Sequence, residues 1–201
     1  MQFLRPASED EMIGVFLRAE LDSCRHGERL RGLLARDRRT QELLRRPDVA
    51  GIESNGYRRR LLEGRRAYER REGLFLGFPR QVDWFRATLE PDEVLDVLYI
   101  DWDWWLTLSG GSRRPRDAAR KIRAVEIVGV TVTEHHPLAE ALRGSQPPAE
   151  LIAVTTPAHA PLVLVEGHFR LTAYALFPDY LPPTLEILLG VSGEMNGWCQ
   201  F

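Results

Sequence analysis

The chain has 201 residues, of which 44% are hydrophobic and 28% are charged, and its formal net charge is −2 at pH 7. This length allows one domain, or a domain with an extension, to bury a real core, and the composition argues against extensive disorder. The small net charge gives no whole-molecule attraction for nucleic acid or for an anionic membrane. The sequence has no apolar run of membrane-spanning length and no basic-then-apolar signal at its N-terminus. We therefore expect a cytoplasmic protein with no membrane partner.

The cysteine usage also favours a reducing compartment. Cys24 and Cys199, the two cysteines, lie at opposite ends of the chain and lack metal-ligand spacing. A disulfide between them is the less favoured alternative.

The first 80 residues are predicted to be basic and helical. They carry 18 arginines and 13 acidic residues, whereas residues 81–201 carry nine basic and 16 acidic residues. Ser8 is followed by three acidic residues, a pattern typical of a helix N-terminus, and apolar residues with helical periodicity continue to Leu21. Similar periodicity predicts a second helix over residues 28–46 and a third over residues 55–72.

The arginine cluster of residues 58–71 allows two interpretations. A basic surface of this kind can contact nucleic acid phosphates. Glu63, Glu69 and Glu72, however, lie between the arginines at helix-pairing distances, which favours an exposed face with local ion pairs. Nucleic acid is therefore a possible partner that is not favoured.

The rest of the chain mixes predicted helices and strands. We expect helices over residues 80–88, from Pro91 onward, over 116–124 and over 169–176. We expect strands at Val97–Ile100, Val125–Thr133, Leu151–Thr155, Pro161–Val165 and Leu185–Leu189. This order predicts an α+β fold in which an N-terminal helical region, residues 1–92, precedes a small mixed-sheet core, residues 93–201.

The segment from Glu166 to Arg170 carries the strongest functional signal. An apolar strand ends at Glu166, and Gly167 precedes a predicted helix. A glycine lets the backbone turn tightly and approach a ligand, while the free N–H groups and the dipole of a new helix favour an anion. His168 and Arg170 can add charge-assisted hydrogen bonds, and Glu166 can hold a metal ion or accept a proton. The alternative is a structural turn with a buried histidine and a surface arginine.

The pattern acid-Gly-His-x-Arg-x-x-Ala, after a β-hairpin and at the start of a helix, resembles the signature of the ParB/sulfiredoxin superfamily. The resemblance covers roughly residues 95–190, and the EGHxRLTAY stretch is similar to that of a bacterial family in this group. It implies that ATP or CTP binds with its phosphates at Gly167, His168 and Arg170, and that Glu166 helps to place Mg²⁺. The turn lacks the cysteine of sulfiredoxins, and the chain lacks the helix-turn-helix of partition proteins.

The loop from Ser109 through Gly110, Gly111 and Ser112 to Arg113 is a second candidate anion site. Its small residues expose backbone N–H groups, and its arginine supplies charge. Members of the superfamily bring polar residues from this loop to the nucleotide. A flexible connection between two elements is the alternative.

Two acidic residues and two histidines complete the candidates. Asp101 and Asp103 share one side of the chain if the preceding strand continues. Kinase-type relatives use an acid near the end of this strand, which makes Asp101 a candidate base or metal ligand, while solvated strand-end charges are the alternative. His135 and His136 would point to opposite sides of a strand and are not predicted to form a joint metal site.

These residues together predict a nucleotide- and metal-dependent phosphotransferase or nucleotide hydrolase that acts on a small hydroxylated metabolite. Glu166, His168 and Asp101 would be catalytic, with Glu166 also a metal ligand. Gly167, Arg170 and the 109–113 loop would hold ATP or CTP with Mg²⁺. The alternative is a non-enzymatic ParB-like module that senses nucleotide or associates with nucleic acid, and a ParB-like nuclease is a weaker one.

Overall fold

The computed structural model describes residues 1–23, 25–144 and 150–201 and confirms the predicted α+β class. The helices of this part of the chain are α1 (Glu9–Leu21), α2 (Gly27–Arg36), α3 (Glu42–Arg45), α4 (Ile52–Arg66), α5 (Pro91–Asp96), α6 (Asp103–Ser109), α7 (Pro115–Arg123), α8 (Val132–Gly144) and α9 (His168–Leu176). The strands are β1 (Gln2–Ala7), β2 (Asp83–Leu89), β3 (Leu151–Thr155), β4 (Val163–Glu166) and β5 (Leu185–Val191). Cys24 lies outside the described residues, so the pairing state of the two cysteines stays a prediction.

The five strands form one mixed sheet in the order β1-β2-β5-β3-β4. β5 runs parallel to β3 and antiparallel to β2, with Leu188 opposite both Ile152 and Arg86. The pairs β1–β2 and β3–β4 are antiparallel. Because β1 and β2 come from the first 92 residues, the predicted helical region and the predicted core share this sheet. The division at residue 92 itself stays a prediction.

The N-terminal helices are confirmed, with two corrections. The helix predicted over residues 55–72 ends early, at Arg66, because Ala67 takes a φ of 54°. The hydroxyl of Ser8 accepts a hydrogen bond from the backbone N–H of Glu11 at 3.1 Å, which caps α1 as expected. The single helix predicted over residues 28–46 is wrong, because α2 and α3 are separate. Arg38 takes a φ of 54°, and the N–H of Arg39 donates to the carbonyl of Leu34 at 2.8 Å, so the chain turns away after α2.

The arginines of α4 pair across to α1. Arg59 donates to Glu9 at 2.6 Å, while Arg65 and Arg66 donate to Glu20 at 2.7 and 2.5 Å. The side chain of Glu20 is only 3% exposed. The expected local ion pairs are confirmed for Arg70, which lies 2.8 Å from Glu63 and 3.2 Å from Glu72. The other three arginines instead pair with another helix and hold α4 against α1.

Residues 80–88 were expected to be a helix, and this expectation is wrong because they contribute β2. Trp84, Ala87 and Leu89 are buried in this strand, whereas Asp83 is exposed. A short apolar pattern fits a helix and a strand equally well. Pairing with β1 on one side and β5 on the other decides for the strand.

The strand predicted at Val97–Ile100 is reduced to an isolated bridge between Leu98 and Val163. The backbone N–H of Leu98 donates to the carbonyl of Leu162 at 2.8 Å, which places this segment alongside β4. Its residues are thus beside the sheet without forming a regular strand.

The strand predicted at Val125–Thr133 is wrong, since α8 begins within it. The N–H of Glu134 donates to the hydroxyl of Thr131 at 3.3 Å, and the N–H of Thr131 donates to the carboxylate of Glu134 at 2.9 Å. This reciprocal pair is a capping box that starts a helix. His135 and His136 consequently lie on a helix.

The elements around the predicted turn are confirmed. They are the strands Leu151–Thr155 and Leu185–Leu189 and the helices over 116–124 and 169–176. The strand predicted at Pro161–Val165 is also present, but it is shifted to Val163–Glu166. Within the described part of the chain, no helix combines the length and apolar character needed to cross a bilayer.

Candidate anion-binding site

The predicted turn lies where β4 ends and α9 begins. β4 ends at Glu166, Gly167 takes a φ of +108°, and α9 starts at His168. Residues with side chains rarely adopt this backbone conformation, so a glycine is favoured at the bend. The β3–β4 hairpin precedes the turn, as the sequence predicts.

The space beside Gly167 is filled by protein. A Cβ at this position would overlap the Cδ2 atom of Leu151 and would lie 3.2 Å from the guanidinium of Arg170. The glycine therefore lets the turn pack against the start of β3. The sequence suggests that a glycine here lets a ligand approach the backbone closely. The packing of Leu151 alone already accounts for a glycine at this position.

The first turn of α9 has free backbone donors. Among the described residues, no side chain caps this helix, and its first backbone hydrogen bond runs from the N–H of Leu171 to the carbonyl of Gly167 at 2.8 Å. The N–H groups of His168, Phe169 and Arg170 precede that bond and have no carbonyl one turn earlier within the helix. These N–H groups point out of the N-terminal end of α9, where they and the helix dipole stabilise an anion.

Arg170 supplies positive charge beside these donors. Its guanidinium donates to the Glu166 carboxylate at 3.1 Å, and the two side chains are 17% and 25% exposed. Glu166 is thus held by an ion pair across one helical turn. A free carboxylate for proton transfer or metal binding, expected from the sequence, is not what the turn presents.

Two arginines from the N-terminal region extend this positive charge. Arg18 of α1 pairs with Glu150, and burial together with the charges of Arg86 and Arg170 holds the pKa of Arg18 below its ordinary value. The guanidinium of Arg25 lies 4.6 Å from the ring centroid of Phe169. The sequence gives no local signal for either residue, because each lies more than 140 positions from α9.

His168 is buried in an aromatic stack. Its ring lies 4.8 Å from that of Trp105, with 21° between the planes, and 6.1 Å from that of Tyr99. Burial, with a smaller contribution from the charge of Arg170, lowers the pKa of His168 to about 3. The imidazole is therefore neutral at pH 7. The predicted charge-assisted contact from His168, and its role as an acid or base near neutral pH, do not fit this environment.

The side chains around His168 are held by hydrogen bonds. The hydroxyl of Thr172 donates to the carbonyl of His168 at 2.8 Å and lies 2.8 Å from the hydroxyl of Tyr99. The Nε2 atom of His168 and the hydroxyl of Tyr174 are both buried without a partner among the described residues. Tyr174 also feels the charge of Arg170, which opposes the rise that burial causes in its pKa.

The 109–113 loop has a structural role in this molecule. The guanidinium of Arg113 donates to the carbonyls of Tyr99 at 2.7 Å and Gln200 at 2.9 Å, and also to that of Phe201. The hydroxyl of Ser109 accepts from the N–H of Arg113 at 2.9 Å. Arg113 therefore ties the C-terminus to Tyr99, and its predicted role as a phosphate ligand conflicts with these contacts.

The remaining small residues of this loop shape the bend. Gly110 and Gly111 have φ values of 68° and 87°, and the hydroxyl of Ser112 donates to the carbonyl of Ser109 at 3.1 Å. The loop follows α6, which places Trp105 against His168. The 109–113 loop is therefore connected to the turn only indirectly, through the stacking of Trp105 on His168.

No hydrogen bond or ion pair links Asp101 to the turn among the described residues. Its carboxylate is exposed and forms no hydrogen bond or ion pair within the described residues, while its backbone N–H donates to the carbonyl of Gln200 at 3.1 Å. Asp103 is the first residue of α6, so the strand alternation expected for the two acids is wrong. In the described ranges, no three His, Cys, Asp or Glu residues are grouped so as to hold a metal ion.

Two clefts lie away from the turn. One, of about 620 Å³, is lined by residues that include Phe85 and Val191, and the other, of about 530 Å³, by residues that include Val191 and Ser192. The register places Glu166 beside the start of β3 and Val191 beside its end. The turn and the clefts are thus at different ends of the sheet.

Comparisons of the chain with protein-family models, with curated proteins and with solved structures found no match.

Proposed function

We propose that the chain binds the phosphate groups of a nucleotide at the first turn of α9. The observation that carries the proposal is the uncapped N-terminus of α9 beside Arg170. A helix end with free N–H groups favours an anion, and an arginine can contact two phosphate oxygens at once. The ParB/sulfiredoxin-like pattern of the sequence, with its strand, glycine turn and helix, supports the same ligand.

Charge around the turn also supports a phosphorylated ligand. Arg170 and Arg18 are partly buried cations, and each is paired with a carboxylate, Glu166 and Glu150 respectively. Arg25 has an aromatic contact to Phe169. A bound phosphate would compete with Glu166 for Arg170, so we expect the ion pair to open when a nucleotide binds.

The residues present fit the phosphates of ATP or CTP better than they fit Mg²⁺. The turn offers one carboxylate, Glu166, and this group is already paired with Arg170. Mg²⁺ in nucleotide sites is commonly held by one or two carboxylates together with the phosphates themselves. Glu150, the other carboxylate of this charged region, is likewise paired with an arginine, so we assign no step of the reaction to the metal.

The geometry supports a nucleotide-binding module in preference to an enzyme. His168 is neutral and stacked, and no hydrogen bond or ion pair joins the Asp101 carboxylate to the turn within the described residues. Glu166 is ion-paired in the absence of ligand and is the one candidate that phosphate binding would free. The phosphotransferase or hydrolase predicted from the sequence needs a group that is free to move a proton or position a nucleophile. That activity, and the membership of the superfamily, stay predictions.

Calorimetric titration of the protein with ATP, CTP, ADP and tripolyphosphate, each with and without Mg²⁺, tests the proposal. We expect Arg170→Ala to weaken binding by about 1.5–3 kcal/mol, the usual size of a hydrogen bond to a charged group. Arg46→Ala is a matched control, since Arg46 also pairs with a glutamate four residues earlier, at 3.7 Å, but lies far along the chain, directly after α3.

Two results would oppose the proposal. The first is the absence of binding heat for all four ligands when circular dichroism shows a folded protein. The second is an equal loss of affinity in Arg170→Ala and Arg46→Ala. Release of inorganic phosphate, measured on the same samples, separates a module that only binds nucleotide from an enzyme that consumes it.

A further inference from the structure

The cleft of about 620 Å³ between the β1 edge and the β3–β4 hairpin loop has the size of a small-molecule site, for which roughly 300–1,000 Å³ is usual. The side chains that give it its chemical character are Phe3, Asp83, Phe85, Pro157, His159 and Val191. The turn of α9 contributes nothing to it, so whatever this cleft binds is independent of the nucleotide proposed above.

The strand register puts an acid and two aromatic rings on one face of the sheet. Asp83 and Phe85 are two residues apart on β2 and therefore point to the same side, and Asp83 lies directly opposite Val191 of β5. The ring of Phe3 meets that of Phe85 edge-on, with centroids 5.1 Å apart. His159 lies in the loop between β3 and β4, and its ring also contacts that of Phe3, with centroids 5.3 Å apart.

The uncompensated charge of this cleft is negative. Asp83 is exposed, and its carboxylate has no hydrogen bond or ion pair among the residues that the structure describes. Arg5 also lines the cleft, but its guanidinium donates to Glu11 at 2.8 and 3.1 Å and to the carbonyl of Pro6 at 3.0 Å. Glu11 also accepts from Arg86 at 2.7 Å, but Arg86 has Glu150 and Glu186 as further partners, so the charge of Arg5 is balanced on the α1 side and not by Asp83.

We propose that this cleft binds the ammonium group of a small organic cation. Aromatic faces attract an ammonium group, a carboxylate adds charge, and apolar walls suit its methyl or methylene substituents. A metal ion is a poorer match, because Ca²⁺ and Mg²⁺ require about six or more oxygen ligands and the walls beside Asp83 are mostly hydrocarbon.

Choline and its uncharged isostere 3,3-dimethyl-1-butanol provide the test, since they differ in charge and hardly in shape. Chemical shifts in ¹⁵N-edited spectra of the full chain, followed during each titration, give both dissociation constants and the residues affected. We expect choline to bind roughly 2- to 30-fold more tightly than the alcohol, the range that cation–π attraction supplies. The shifts should concentrate at Phe3, Phe85 and His159. Equal affinities, or choline shifts located elsewhere, would overturn the proposal.

Two variants separate the contributions of charge and ring. Asp83→Asn should weaken the binding of choline and leave the affinity for the alcohol unchanged. Phe3→Leu should have the same effect, because it keeps apolar bulk but removes the aromatic ring. Asp179→Asn, at another exposed aspartate with no partner among the described residues, is the matched control and should change neither constant. Choline affinity that survives both test variants, with the spectra still those of a folded protein, would also overturn the proposal.

Discussion

The imidazole of His168 stacks on the indole of Trp105, with ring centroids 4.8 Å apart and 21° between the ring planes. This contact joins the first residue of α9 to the middle of α6. The contact also shields His168 from water, and His168 is the only side chain of the turn whose ordinary pKa is near 7.

Acid should destabilise the protein through His168. The pKa of His168 is about 3 in the folded chain, below its ordinary value of 6.5, so the unfolded chain binds more protons between these two pH values. The free energy of unfolding must therefore rise with pH in this window, by at most about 1.4 kcal/mol per pH unit from this group. Urea titrations at pH 7, 6, 5 and 4 measure the slope.

His168→Phe keeps a flat ring but cannot titrate, so its unfolding free energy should depend less on pH between 4 and 6. His136→Gln is the control, because His136 lies on α8 with half of its side chain exposed, 50%. If His168→Phe and the unmodified chain lose stability in parallel as the pH falls, the buried neutral state of His168 is not the cause.

Gly167→Ala should destabilise the fold by about 1–3 kcal/mol, because alanine is strained at a φ of +108° and its Cβ would overlap Leu151. Gly64→Ala on α4 is the matched control, as no atom outside the adjoining backbone of that helix lies within 4 Å of a Cβ there. That change should stabilise by about 0.4–1 kcal/mol. Urea-induced unfolding of both variants gives the comparison. Should Gly167→Ala unfold like the unmodified chain and lose only phosphate affinity, the glycine serves the ligand and not the packing.

Arg113→Ala should cost about 2–4 kcal/mol of stability, since three backbone carbonyls lose a charged donor. Arg114→Ala is the adjacent control: its side chain is 58% exposed and its nearest acidic partner, Asp96, is 3.9 Å away. It should change stability by less than about 0.5 kcal/mol. Hydrogen exchange at the amides of residues 199–201 should accelerate in the first variant alone. Equal effects of the two changes would mean that Arg113 does not anchor the C-terminus.

The turn could be located from sequence because its signals are local. An apolar strand, an acid, a glycine and a helical pattern follow one another within a few residues, and each acts through its nearest neighbours. The capping box of Thr131 and Glu134 is also local, and the Thr-x-x-Glu pattern would have identified α8 had the Val-rich stretch before it not suggested a strand.

Other features depend on partners that are distant in the chain. The pairing of Arg65 with Glu20 and the approach of Arg18 to Arg170 arise only after the helices pack. The environment of His168 likewise depends on Trp105, more than 60 positions earlier. For this reason the sequence shows which residues can carry charge at the turn but not which of them are neutralised or buried.

The position of β5 has a consequence for synthesis on the ribosome. β2 lies between β1 and β5, so β1 and β2 pair as a two-stranded ribbon until β5 is made, and such a ribbon is marginal on its own. The parallel neighbour of β5, β3, must also wait for residues 185–191 to emerge. A chain halted before that point would leave the inner edge of β2 open to pairing with other molecules, so premature termination should give aggregation-prone fragments.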